Sequence, residues 1–319
     1  MDVYGQDAEL HLLSKLLGRL DRRAMIDIGA EQGSFAVEML HGGVESLYAF
    51  DPHPDNVSAL KARFAGDPRV TVYEHAISDG DGSAELHVSS NPDGTPLPFG
   101  HTLLEREDTD EIAWSETLSV TRRSLQSLID AGEIPASVGI LKIDTEGHDL
   151  AVVQGMGTLE ADVVMVEHWT ELPNGLGACP WTPQEMVAAL HARGFTHFAF
   201  IVHRGEFVTI KWDDGDVESG AMGNLVFLHD RVLGALLPDI LDCAGSLAEE
   251  AVGIGQAYMR AANDRSALVD ELKQAADDRL ALVEELHEVA AERLQALEAS
   301  RARLKSQDVE LKALARQSQ

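Results

Sequence analysis

The chain has 319 residues, 45% of them hydrophobic and 25% charged, which gives room for one large α/β domain plus an appendage and excludes a disordered chain. Fifty-four acids against twenty-five bases give a formal charge of −29, and the first 243 residues hold forty of those acids but only fifteen bases. Such a domain cannot draw affinity from phosphate neutralisation, so no nucleic-acid partner is expected and polyanionic substrates are disfavoured. No run approaches the ~20 apolar residues of a membrane span. Asp2, Asp7 and Glu9 stand where an export signal would be basic, and Cys179 and Cys243 are too few for a disulfide framework, so a cytoplasmic location is expected.

Leu10, Leu13, Leu17 and Leu20, spaced by three and four, predict an amphipathic helix over Asp7 to Leu20. Short apolar runs then alternate with helical stretches. Strands are expected at Ala24 to Ile28, Ser46 to Phe50, Val70 to His75, Glu85 to Ser89, Val138 to Ile143, Val163 to Glu167, Thr196 to Val202 and Asn224 to Leu228. Helices are expected near Gly33 to His41, Pro54 to Phe64, Ser124 to Ala131 and Thr182 to Arg193. This alternation indicates an α/β fold whose mostly parallel sheet carries helices on both faces. Asn91 to Asp110, with three prolines and two glycines, reads as a loop long enough to lie over a site, and Leu172 to Trp181 as a second excursion.

The tail has no proline after Pro238 and no glycine after Gly255. ALVDELKQAADDRL from Ala267 returns as ALVEELHEVAAERL from Ala281, an offset of two heptads, and Leu268, Leu272, Leu282, Leu286 and Val289 form a seam that Leu294, Leu297, Leu304 and Leu311 continue with a one-residue shift. A helix from Gln256 onward would be roughly 96 Å long at ~1.5 Å per residue. A coiled coil that makes a homo-oligomer is the expectation. The predicted division is 1–21 N-terminal helix, 22–243 catalytic domain and 244–319 coiled-coil tail.

Chemistry concentrates in MIDIGAEQGSF, Met25 to Phe35. A strand bearing Asp27 turns at Gly29, and Gly33 opens the next helix, so backbone amides face a ligand at a helix start. Asp51, in AFDPHPDN, ends the next strand 22 residues after Gly29, where a carboxylate accepts ribose hydroxyls. The pair indicates an adenosine-containing cofactor. A dinucleotide fingerprint would need glycines where Glu31 and Ser34 stand, and a pyrophosphate would meet Asp27 and Glu31. A sulfonium cofactor with a cationic amino group suits that charge, and a nicotinamide oxidoreductase does not.

MIDIGAEQGSF, AFDPHPDN, EHAISDGDG, LKIDTEGHDLAVVQGM and VVMVEHW together resemble the FkbM family of S-adenosylmethionine-dependent methyltransferases, over roughly Arg22 to Leu228. The resemblance implies a class I methyltransferase (Rossmann-like) fold with a seven-stranded sheet and O-methylation of a sugar or natural-product hydroxyl. Carried over by motif position, Asp27, Gly29, Ala30 and Gly33 would line the methionine part, Asp51 with Pro52 the ribose, and His75 and Ala76 the adenine. Glu31-Gln32 departs from the family's usual turn, and Gln126 stands where an Asp often occurs.

Methyl transfer needs an aligned acceptor oxygen, exclusion of water and a base for the hydroxyl proton. Candidates cluster at two strand ends, Asp144, Glu146 and His148 after one, Glu167 and His168 after the other, with His168 the preferred base because neutral imidazole accepts a proton near physiological pH. Asp144 would position the acceptor or orient the base. Asp144, Glu146, Glu167 and His168 could instead hold Mg²⁺ or Mn²⁺. His101, His148, Trp169 and Trp181 are candidate acceptor contacts. The alternative is a coiled-coil scaffold that docks a methyltransferase-like domain onto a glycosyltransferase partner in a polysaccharide assembly.

Overall fold

The computed structural model describes residues 7–170, 178–204, 207–213, 215, 221–247 and 274. The chain divides into two units, Met1–Ala251 and Val252–Gln319. The coiled coil expected over 244–319 lies outside the described residues except for 244–247 and the helical Gln274.

In the first unit the elements run α1 (Asp7–Leu17), β1 (Ala24–Ile28), α2 (Ser34–His41), β2 (Ser46–Phe50), α3 (Pro54–Arg63), β3 (Val70–Tyr73), β4 (Ala76–Ile77), β5 (Gly82–Ser90), β6 (Ala113–Arg123), α4 (Leu125–Asp130), β7 (Ser137–Ile143), α5 (Asp149–Gln154), β8 (Glu160–Trp169), α6 (Pro183–His191), β9 (His197–Arg204), β10 (Phe207–Trp212) and β11 (Met222–Leu228). Residues 230–247 form a further helix, α7. Its Leu236, Ile240 and Cys243 are buried, and it continues past residue 243, where the tail was expected to begin.

The main sheet has the order β10-β9-β11-β8-β7-β1-β2-β3. Its central strands β3, β2, β1, β7 and β8 are mutually parallel, whereas β11 runs antiparallel to both β8 and β9, and β10 antiparallel to β9. The sheet therefore has eight strands rather than seven and is mixed. The added strand is β10, which folds back on β9 as a hairpin edge. A second sheet, β4-β6-β5, was not expected. Its long strand β6 is mostly exposed or half-exposed, and although Trp114, Leu118 and Val120 share one face, Glu116 and Arg122 stand on that face too and weaken the alternation in the sequence.

Near-continuous apolar runs in β1, β7 and β8 reflect burial on both faces, as parallel strands require. One face packs Ile26, Ile143, Val164 and Val166 against Leu125 and Leu128 of α4, Val152 of α5 and Met186 and Leu190 of α6. The other packs Met25, Ile140 and Met165 against Leu12 and Leu16 of α1, Met39 of α2 and Leu236 of α7. Helices thus cover both faces. From β1 the chain builds outward through β2 and β3, then returns to add β7 and β8 on β1's other side. The connections at the carboxyl ends of β1 and β7 diverge and open a crevice, the usual ligand position in an open α/β sheet.

Candidate active site

The floor of the crevice is the turn after β1. The Gly29 and Ala30 amides both donate to the Phe50 carbonyl, at 2.9 and 3.0 Å, and the Asp144 amide donates to the Ile28 carbonyl at 3.0 Å. These bonds draw the ends of β1, β2 and β7 together. Gly29 has φ +74°, and a Cβ there would lie 1.8 Å from the Asp144 carbonyl oxygen, so only glycine fits. Gly33, at φ +82°, is required for another reason: a Cβ would meet Phe64 and Leu60 at under 3.0 Å, so it lets α2 pack on the segment containing α3. Gly33 does not line the cleft.

Asp51 immediately follows β2 and is almost fully buried. Its Oδ2 accepts the Glu31 amide at 3.0 Å, and its Oδ1 accepts the His53 amide at 2.9 Å and Asn56 Nδ2 at 3.3 Å. A carboxylate has about four acceptor sites, so one on Oδ2 remains for a hydroxyl. Burial pushes the Asp51 carboxyl up to about 7 despite those three bonds. Pro52, His75, Ala76, Ile77 and Leu86 also line the cleft.

Beneath the turn, Lys142 near the carboxyl end of β7 is 2% exposed, with Nζ 3.2 Å from Asp27 Oδ1, 3.3 Å from Asp144 Oδ2 and 3.3 Å from the Gly29 carbonyl. Burial opposes its charge, but the two acids outweigh burial and raise its basicity. Asp27 is fully buried and reaches the cleft only through Lys142, which does line it. Burial raises the Asp27 carboxyl against the pull of Lys142.

At the other end, Asp144, Glu146 and Glu167 offer carboxylate oxygens within 4.8 Å of one another. Burial pushes Glu146 up to about 7, and burial together with the Asp144, Glu146 and Asp149 charges holds Glu167 well above the usual carboxylate range. Glu146 has φ +53°, a left-handed position that turns the chain sharply after β7. His148 also lines the cleft, with Nε2 2.8 Å from Ser78 Oγ, and burial lowers its basicity.

The expected loop over the site is present. Its residues Pro98, Phe99, Gly100, His101, Thr102 and Leu103 form one wall of the cleft. His101 Nδ1 accepts the Ser89 amide at 3.1 Å, which puts the proton of the neutral ring on Nε2. Burial lowers this imidazole to about 4. Its ring stacks on His53 at 4.4 Å between centroids.

Besides Asp27 and Gly33, three further expected site residues do not line the cleft. His168, the preferred base, follows Glu167 on β8 and so points to the opposite face of the sheet. There it is buried 4.9 Å from the Trp181 ring and 6.1 Å from Phe200, and burial lowers it to about 4. Trp169 and Trp181 are 5% and 3% exposed and do not line the cleft, so neither presents a face to an acceptor there. Trp169 instead lies under the Arg106 guanidinium at 5.4 Å. Gln126 serves packing: its Oε1 accepts the Thr158 amide at 2.6 Å. Lys142, Asn56 and Phe99 are cleft residues that the sequence reading missed. A lone lysine inside the apolar run of β7 was the available signal for the first.

The model of the methyltransferase FkbM domain matches residues 27–196. Hexuronic acid methyltransferase AglP of Haloferax volcanii is 26% identical over 158 residues, 49% of this chain and 58% of that protein, so the match spans less than two thirds of the relative. Among solved structures, the methyltransferase domain of a bacterial CtHen1 is 14% identical with a TM-score of 0.38, covering 70% of this chain and 98% of that one. Magnesium protoporphyrin IX methyltransferase of Synechocystis PCC 6803, with bound S-adenosylmethionine, is 10% identical with a TM-score of 0.38, covering 70% and 79%. Because the family model spans more than half of its length, the chain belongs to the methyltransferase FkbM domain family.

Proposed function

We propose that the protein is an S-adenosylmethionine-dependent O-methyltransferase of class I type whose acceptor is a saccharide or glycosylated metabolite. The observation that carries the reading is the distribution of acids along one cleft: Asp51 at one end with an acceptor site left for a ribose hydroxyl, Glu31 and Asp144 beside the Gly29 turn, and Glu146 and Glu167 beyond them. This donor set fits a nucleoside joined to a cationic amino-acid portion. S-adenosylmethionine, when bound, supplies an activated methyl group on sulfur.

The residues of the chain then have separable tasks. Gly29 and Ala30 hold the backbone close enough for the ligand to lie against it. Asp51 orients the ribose, and His75 and Ala76 flank the base. Glu31 and Asp144 attract the amino group. Glu167 takes the proton of the acceptor hydroxyl: it faces the cleft beside Asp144 and Glu146, and burial with those charges holds its carboxyl well above the usual carboxylate range, which makes it a stronger base. The strap of residues 98–103 excludes water.

A second reading of the acceptor end is favoured by the convergence of Asp144, Glu146 and Glu167 within 4.8 Å. These three would hold Mg²⁺ or Mn²⁺, which prefer oxygen ligands and acidify a bound hydroxyl. The relative's name makes a hexuronic-acid-containing saccharide the first acceptor to try. The expected coiled-coil tail, 244–319, would serve self-association. The test is incubation of the full chain with methyl-labelled S-adenosylmethionine and hexuronic-acid-containing saccharides, with and without chelator, followed by mass analysis. Label in the saccharide supports the reading, loss of transfer with chelator selects the metal form, and absence of transfer to any hydroxyl-bearing glycan opposes it.

A further inference from the structure

The strap that walls the cleft is fastened at both ends, and each fastening is to a different half of the site. At its start, Asn56 of α3 uses a single amide nitrogen twice. Nδ2 donates to Asp51 Oδ1 at 3.3 Å and to the Pro98 carbonyl at 2.9 Å. At its far end, Thr102 Oγ1 donates to the Glu146 carbonyl at 3.0 Å, joining the strap to the acid cluster after β7. Between these points the strap is held along its length. The Phe99 carbonyl accepts Ser89 Oγ, the Gly100 carbonyl accepts Trp114 Nε1 at 2.8 Å, and the Thr102 amide donates to the His87 carbonyl at 3.1 Å.

Three consecutive carbonyls, those of Pro98, Phe99 and Gly100, are therefore each tied to a side chain on a different element. Yet the Phe99 side chain between them is 51% exposed, one of two large apolar side chains in that condition among the described residues. The backbone is fixed while the ring it carries stays in water at the rim of the cleft. Asn56 itself is 2% exposed and meets no solvent that could replace either acceptor.

We propose that Asn56 is a positioning residue that couples the ribose end of the cleft to the acceptor end, so that a nucleoside ligand held by Asp51 fixes the strap over the acceptor. The physical reason is that one amide serves both halves. A ligand that immobilises the Asp51 carboxylate immobilises Asn56, and the second N–H of the same nitrogen carries the constraint to Pro98 and along the strap to Glu146. The reverse holds by linkage: an acceptor that orders the strap tightens the ribose site by the same factor. The inference rests on the proposed cofactor reading, because it requires a nucleoside at Asp51.

The probe is S-adenosylhomocysteine, and the readout is amide hydrogen exchange of peptides spanning residues 98–104 in the full chain, with ligand affinity measured in parallel by calorimetry. In the parent protein the ligand slows strap exchange by about tenfold or more. In Asn56→Leu, which keeps the volume but has no donor, the ligand still binds within about tenfold of the parent affinity, and the slowing falls to under about threefold. Trp114 provides an independent signature, since its indole is bonded to the strap. Its emission, isolated by difference from Trp114→Phe, shifts on ligand addition in the parent and not in Asn56→Leu.

If Asn56→Leu does not fold, Asn56→Ser replaces it, because one hydroxyl can serve only one of the two acceptors. Equal slowing in variant and parent means the ligand shields the strap directly and overturns the coupling. Binding to the parent with no slowing of the strap overturns it too, while leaving the cofactor reading intact. Absence of any binding to the parent overturns the cofactor reading and the coupling together.

Discussion

Glu167 and His168, neighbours in sequence at the end of β8, stand on opposite faces of the central sheet. Glu167 lines the cleft with Asp144 and Glu146, whereas His168 is buried against Trp181 and Phe200. Strand alternation alone decides which of the two can act on a ligand. Glu167→Gln is expected to lower kcat by roughly 10²–10⁴ with S-adenosylmethionine affinity little changed. His168→Gln is expected to leave kcat within about threefold and to lower stability by about 1–3 kcal/mol, the range for a disturbed core side chain. Steady-state kinetics with thermal unfolding on both variants checks this, and the opposite pattern returns the base role to His168.

Gly29→Ala tests whether the floor of the cleft requires a bare backbone. A Cβ would lie 1.8 Å from the Asp144 carbonyl oxygen at a φ of +74°, so the β1 and β7 ends must separate. The expected outcome is loss of cofactor binding and destabilisation by more than about 2 kcal/mol, from strain added to displaced backbone. Calorimetry and unfolding measure the two effects. Near-parental affinity would mean that the turn relaxes in a way this geometry does not allow.

Lys142 is paired with two acids, Asp27 and Asp144. Lys142→Met leaves Asp27 and Asp144 with no cation at 3.2 and 3.3 Å, and removal of one partner from a buried ion pair costs about 3–5 kcal/mol. Adding Asp27→Asn to the same chain removes the stranded charge and is expected to restore part of that loss. Denaturant unfolding of the single and double variants checks it. Additive losses would show that Lys142 and Asp27 act independently.

The titration of the cleft gives stability a sign with pH. Burial holds Asp51, Glu146 and Asp149 up at about 7, against about 4 in an unfolded chain, so across that interval these acids bind more protons folded than unfolded and stability falls as pH rises. His101 and His168, lowered to about 4 by burial, act oppositely up to about pH 6.5, where their unfolded forms lose the proton. The two sets oppose one another below pH 6.5, and only the acids remain above it. The melting temperature of the ligand-free protein is therefore expected to fall between pH 6.5 and 8, and to fall less with S-adenosylmethionine bound, since a cation favours the ionised acids. Thermal scans across that range check both, and a rise in the free protein contradicts the acid-rich cleft.

Much of the fold was legible because parallel strands bury both faces and so appear as unbroken apolar runs. β1 and β2 have the expected limits, and β7 and β8 differ only at their ends. β6 escaped notice because a mostly exposed strand in a small sheet keeps polar residues on both sides, and β10 because its neighbours are loop-like in composition. Gly29 and Asp51 were legible from spacing, since one fixes a turn and the other follows the next strand. Asn56 was not, because it matters through Pro98, 42 residues away, and Phe99 was not, because nothing local marks which residue of the loop borders the cleft. His168 was misjudged for a local reason: the end of a strand says that a residue is near the crevice, and only the register says on which face.

The central claim is that the cleft between Gly29 and Asp51 holds S-adenosylmethionine, and calorimetric titration of the full chain with that compound tests it most directly. The account requires saturable one-site binding, weakened by about tenfold or more in Asp51→Ala, where the carboxylate that would face the ribose is gone. Binding unaffected by Asp51→Ala, or no binding to the parent protein, contradicts it.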